Sequence, residues 1–164
     1  MATQPNAHHH IGIRTADLER SAQFYIDAFD AEWLTKAWTV DGEGAEQVLG
    51  GPKGAAYRVA FIAVGPGVFE LFEFLHPKPE FGERPHPSEL GLMHFGIQVD
   101  DVAATIERVV AAGGTRVWDH ILDLGPRQIS YVADPDGNVI EVMDGTMRDG
   151  IDVILQGLPE ARPE

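Results

Sequence analysis

Four residues in this chain have the types and spacing to hold a divalent metal ion: His10, Glu70, His94 and Glu141. His10 opens the string "HIGIRTADL" (10–18) and His94 opens "HFGIQVDDV" (94–102). The two strings align without gaps at an offset of 84, with histidine, glycine, isoleucine and aspartate in register. Glu70 and Glu141 lie in a second matched pair, "GVFELFE" (67–73) and "NVIEVMD" (138–144), at an offset of 71. Two neutral imidazoles and two carboxylates make a mixed nitrogen and oxygen donor set that suits Zn, Ni, Co, Mn or Fe(II). Such a set neutralises the ion and leaves one or two positions for water or substrate. The chain has no cysteine, so disulfides, thiolate sites and cysteine nucleophiles are excluded. The strand alternation puts Glu70 on the same face as Phe72, and Glu141 stands between Ile140 and Val142. A carboxylate in an apolar strand needs a partner.

The elements that must position these four residues repeat as well. Residues 1–7 read as a loose N-terminus. A strand-like pattern starts at residue 8 and turns helical near Asp17, a candidate N-cap, with Leu18, Ala22, Tyr25 and Phe29 on one face. Three strands follow, "EWLTKAWTV", "AYRVAFIAV" and "GVFELFEFL", the last after the turn signal "GPG". This predicts a βαβββ module over 8–75. The stretch 76–91 carries four prolines and reads as a linker. A second βαβββ module is predicted over 92–145. Its helix carries Val102, Ile106, Val109 and Val110 on one face and stops at Gly113-Gly114, and "DPDGN" turns its last two strands. The predicted class is α+β. The first module is 13 residues longer between its histidine and its glutamate. The surplus falls in 39–56, read as a Gly-rich loop with one helical turn that forms a lid or wall. The tail, 146–164, is read as an extra helix or strand or a dimer contact.

His10 belongs to a run of three histidines, and the repeat singles it out. His8 shares its strand face and is expected in a second shell; His9 is expected to point the other way. The formal net charge of −14 argues against sequence-independent nucleic-acid binding and against an anionic membrane surface. No apolar run approaches the ~18 residues of a spanning helix, and no secretory core follows Met1. A soluble cytoplasmic protein is the expectation. Arg58 and Arg127 are read as surface ion pairs, and His76 and His86 as solvated.

The strings "HIGIRTADLERSAQFY", "FELFEF", "MHFGIQVDDV" and "YVADPDGNVIEV" together resemble the vicinal oxygen chelate superfamily, over roughly residues 8–145. That superfamily includes glyoxalase I, methylmalonyl-CoA epimerase, extradiol dioxygenases and antibiotic-resistance binding proteins. The resemblance implies paired βαβββ modules that form an open-barrel cleft, and a metal held by His10, Glu70, His94 and Glu141. It implies a small-molecule substrate and a glyoxalase- or epimerase-like lyase or isomerase. In that reaction the metal stabilises an enolate, Glu141 is the base and Glu70 the second acid/base. Tyr131, Phe72 and Phe61 are expected to touch substrate. The expected assembly is a homodimer. An extradiol-type dioxygenase using Fe(II) or Mn(II) is the alternative, suggested by Tyr131 ten residues before Glu141. Ser130 and the distance of His120 from Tyr131 depart from that signature. A non-catalytic drug-binding protein is the third reading, disfavoured by the retained ligand set.

Overall fold

Asp17 and Asp101 start two matched helices in the same way. Each is extended, and its side chain accepts the N–H of the third residue on: Arg20 at 3.0 Å and Ala104 at 2.9 Å. The helices are α1 (Leu18–Phe29) and α3 (Val102–Ala111). Helix α1 buries Leu18, Ala22, Phe24, Tyr25 and Ala28, and ends at Asp30 in the left-handed region (φ 55°). Helix α3 buries Val102, Ile106 and Val109. Val110, grouped with them by the sequence pattern, is instead 45% exposed. The computed structural model describes residues 8–49, 52–80, 82, 88, 90–125 and 127–163.

The chain divides into two compact units, residues 1–84 and 85–164, each holding one five-stranded sheet. The first sheet contains β1 (Ile11–Thr15), β2 (Glu32–Trp33), β3 (Trp38–Asp41), β4 (Ala56–Val64) and β5 (Gly67–His76). Its order is β1-β5-β4-β2, with β3 also on β4. The second contains β6 (Phe95–Val99), β7 (Thr115–Arg116), β8 (Leu122–Asp123), β9 (Gln128–Ala133) and β10 (Val139–Asp144). Its order is β6-β10-β9-β7, with β8 also on β9. In each sheet the first strand lies parallel to the last, and every other pairing is antiparallel. This brings the histidine end of the module beside the glutamate strand. The core of each unit lies between sheet and helix: Ile13, Ile62, Phe69 and Leu71 in the first, Val132, Ile140 and Val142 in the second.

Two predicted strands are broken, both at the same place. "EWLTKAWTV" splits into β2 and β3 because the N–H groups of Leu34 and Thr35 both donate to the Phe61 carbonyl, at 2.9 and 3.2 Å. "TRVWDHILDL" splits into β7 and β8 because Val117 and Trp118 both donate to the Tyr131 carbonyl, at 2.9 and 3.1 Å. Two residues oppose one, as in a bulge, and the pairing stops there.

The long insertion holds more than one helical turn. It forms α2 (Gly42–Leu49), whose Ala45 packs in a buried cluster with Ala55, Tyr57, Val59 and Phe72. The tail forms α4 (Met147–Gly157), started by a reciprocal cap between Thr146 and Asp149. Arg127 is not a surface ion pair. Its side chain is 4% exposed and donates to the Thr146 carbonyl, with Asp149 at 3.7 Å. It fits there because Gly150 has no Cβ, which would come within 2.7 Å of Arg127 Nη1. Arg58 does form an ion-pair cluster, with Glu19 of α1 and Glu73 of β5. His76 ends β5 and is exposed, whereas His86 lies outside the described residues. No helix among the described residues is long and apolar enough to cross a membrane.

Candidate metal centre

His10 and His94 each stand one residue before the first strand of their sheet rather than on it. Two residues on, Gly12 lies in register with Glu70, and Gly96 with Glu141. A Cβ at Gly96 would touch Glu141 Oε2 at 3.7 Å, so a longer side chain there would fill the space beside the carboxylate. At Gly12 the neighbour is instead the Phe72 ring, 3.6 Å from where a Cβ would stand. Each histidine lies against its glutamate. His10 Nε2 lies 3.1 Å from Glu70 Oε2, and His94 Nε2 lies 3.3 Å from Glu141 Oε2.

These separations fit shared coordination of an ion. Nitrogen and oxygen ligands at about 2.0–2.2 Å from one metal, at angles between square and tetrahedral, stand about 2.8–3.6 Å apart. The outer ring nitrogens differ between the two histidines: among the described residues that of His10 has a partner and that of His94 has none. His10 Nδ1 meets His9 Nδ1 at 2.7 Å, so with Nε2 free as a donor to metal the Nδ1 proton has an acceptor. His94 Nδ1 is buried and has no partner among the described residues. Each module therefore offers a two-donor half-site. Among the described residues no group of three or more histidines, aspartates or glutamates is arranged to hold an ion.

Glu141 is the more enclosed carboxylate, with a side chain 12% exposed against 20% for Glu70. Tyr131 lies opposite it across β9 and β10, and its hydroxyl donates to Glu141 Oε1 at 3.0 Å. Burial first, then the bond to Glu141 and its charge, push the Tyr131 phenol up to about 12. The Tyr131 ring also meets His94 edge-on at 5.1 Å and Trp118 at 4.5 Å. His120 is stacked on Trp118 at 5.0 Å and paired with Asp119, so Trp118 rather than His120 is the ring against Tyr131. In the other sheet Phe61 lies opposite Glu70 and against Trp38 at 5.9 Å. Tyr57 is raised by burial and then by the charge of Glu70.

Three expected neighbours have other surroundings. Phe72, expected to touch substrate, is buried in the Tyr57 cluster on the Glu70 face of its sheet, with its ring also beside Gly12. His9, expected to point away, is the residue that contacts His10. His8, expected in a second shell, is exposed and has no hydrogen-bond partner among the described residues. Trp38 escaped the sequence reading, although its place in β3 opposite Val59 follows from alternation once the break at 34–37 is known.

The sequence model of the Glyoxalase/Bleomycin resistance protein/Dioxygenase superfamily matches residues 7–142. The chain belongs to that superfamily. A 2-epi-5-epi-valiolone epimerase from Actinomyces sp. is 30% identical over 155 residues, 83% of this chain and 78% of its own. A chloroplastic protein of Arabidopsis thaliana named as a probable lactoylglutathione lyase is 29% identical over 141 residues, 82% of this chain. The chain spans only 35% of that relative's length. The crystal structure of a glyoxalase family protein from Bacillus cereus superposes with a TM-score of 0.76 at 19% identity, covering 87% of this chain and 95% of its own. The superfamily fold and the two-module α+β reading of the sequence agree.

Proposed function

We infer that this protein is a divalent-metal-dependent lyase or isomerase of the glyoxalase and epimerase kind, acting on a small substrate with vicinal oxygens. His10, Glu70, His94 and Glu141 are its ligands. What carries the reading is the match between the two half-sites: histidine and glutamate 3.1 and 3.3 Å apart at equivalent places in two sheets. The relatives named as a lyase and as an epimerase support it at the level of reaction class.

When bound, the ion supplies Lewis-acid stabilisation of negative charge on the substrate oxygens. The chain's own residues do the rest. The imidazoles of His10 and His94 bind through Nε2. A carboxylate of the pair Glu70 and Glu141 takes a proton from the carbon next to the chelated oxygens and returns it, which requires hydrogen-bond reach between the two. Phe61 and Trp38 form an apolar wall beside Glu70 that holds the carbon skeleton and sheds water. Tyr131 lies beside Glu141 and orients it.

Metal analysis of the purified protein, then turnover by metal-reconstituted protein, tests the reading. The expected result is a stoichiometric divalent ion and oxygen-independent lyase or epimerase turnover, both reduced in Glu70→Gln. Iron with oxygen-dependent cleavage of a catechol would establish the dioxygenase reading instead. Absence of stoichiometric metal, with no turnover after reconstitution, would favour a binding protein. Survival of both metal content and turnover in Glu70→Gln would overturn the four-ligand site.

A further inference from the structure

At the residue that faces each glutamate across the antiparallel strand pair, the two half-sites differ by one oxygen atom. Phe61 is opposite Glu70 and Tyr131 is opposite Glu141. The two aromatic residues are equivalent in a second way, since the carbonyl of each accepts the paired N–H groups that break the neighbouring strand. Tyr131 uses its hydroxyl to hold Glu141 Oε1 at 3.0 Å while Oε2 faces His94 at 3.3 Å, so both carboxylate oxygens are engaged. Phe61 has no hydroxyl. Among the described residues, the Glu70 carboxylate has His10 Nε2 as its one polar contact. Tyr57 lies on the same face and makes no hydrogen bond to Glu70 among the described residues.

We propose that Tyr131 is a positioning residue that fixes Glu141 as a permanent ligand, and that Glu70 is the carboxylate free to turn to the substrate and exchange its proton. The proposal rests on the metal-site reading above, and it reverses the roles expected from the sequence, where Glu141 was the base. The physical ground is the number of bonds each side chain must break to turn. Glu141 must leave its ligand position and also release the tyrosine, which would strand a half-buried phenol donor. Glu70 must only leave its ligand position. The surroundings agree, because the apolar ring of Phe61 beside Glu70 presents a surface for a C–H group, whereas Glu141 faces a donor. In the step, Glu70 takes the proton from the substrate carbon, the bonding pair stays on the substrate, and the same proton returns to carbon.

Co²⁺ is the probe. Metal-stripped protein is titrated with Co²⁺, and affinity and the visible absorption spectrum are read for wild type, Tyr131→Phe, Phe61→Tyr, Glu70→Gln and Glu141→Gln, with the two Tyr131→Phe double variants. Tyr131→Phe is expected to weaken Co²⁺ binding about 10-fold or more, as loss of a bond to a ligand does. That loss should largely vanish in the Glu141→Gln background and persist in the Glu70→Gln background. Glu141→Gln should cost more affinity than Glu70→Gln, and Phe61→Tyr should tighten binding by restoring the missing bond. A folded Tyr131→Phe with wild-type affinity and spectrum overturns the proposal and leaves the metal reading standing. So does an equal Tyr131→Phe loss in both backgrounds, or equal losses for the two glutamates. If Tyr131→Phe does not fold, Phe61→Tyr decides: unchanged Co²⁺ affinity and spectrum overturn the proposal. Wild-type protein without saturable Co²⁺ binding overturns the metal reading and the proposal with it.

Discussion

Tyr131 touches the Glu141 carboxylate, and its phenol is the natural reporter of that half-site. Burial disfavours the phenolate, and the Glu141 carboxylate adds a hydrogen bond to the neutral form and a like charge against the ionised one. In metal-free protein, the ultraviolet difference titration of wild type against Tyr131→Phe should therefore show a phenolate step near pH 12 instead of the ordinary 10.0. Because the folded value is raised, the stability linked to this group is complete below about pH 10 and is lost as the pH climbs from there to about 12. Glu141→Gln should lower the step without returning it to 10.0, since burial is the larger cause. A step that Glu141→Gln leaves unmoved would mean that Glu141 does not hold the hydroxyl, and a wild-type step at the ordinary value would mean that the ring is not buried either. The four ligand candidates were legible from residue types alone because the repeat aligned them. The asymmetry between Phe61 and Tyr131 was equally present in the sequence, but it acquires meaning only when the strand registers place each ring opposite a glutamate.

At the scale of elements, signals that act locally were legible and those that depend on distant chain were not. The caps at Asp17 and Asp101 are local, and so is the "DPDGN" turn, where Asp134 Oδ1 accepts the N–H groups of Asp136 and Asn138 at 3.0 and 2.8 Å. Helix α2 was legible only as a turn, because "GEGAEQVL" carries two glycines and its stability comes from Ala45 packing on Tyr57, Val59 and Phe72. The broken strands carry no glycine or proline at the break. Their interruption is set by a single carbonyl, of Phe61 or Tyr131, that draws two successive N–H groups. Arg127 was misread for a similar reason, since its burial depends on the first turn of α4 and on the bare Cα of Gly150. The local signals carry a prediction. Asp17→Ala and Asp101→Ala should each cost about 1 kcal/mol of stability in urea unfolding, the usual worth of an N-cap. The caps belong to different packed units, so the double variant should lose the sum within about 0.5 kcal/mol. A loss near zero for either would mean that its helix is held by its buried face alone.

For the whole molecule the governing quantity is charge. The chain carries 26 acidic against 12 basic side chains, a formal −14 at pH 7. Such a molecule attracts divalent cations non-specifically, and two effects must be told apart: general screening of self-repulsion, and occupation of the His/Glu pairs. A cation that binds the folded state alone stabilises it by about 2.7 kcal/mol at 100 times its Kd. For a chain of this size that raises Tm by about 5–11 °C. Chelator-treated protein is therefore expected to melt lower by that amount than protein loaded with Co²⁺, Ni²⁺ or Zn²⁺. The difference should survive high NaCl, because it comes from coordination, and shrink as the pH falls, because the ligands must be deprotonated to bind. The double variant Glu70→Gln/Glu141→Gln should lose most of it. Mg²⁺ and Ca²⁺, which prefer oxygen ligands, should give little. A rise in Tm that Mg²⁺ reproduces, that salt abolishes and that the double variant retains would come from screening of the −14 charge, and the ligand assignment would fall.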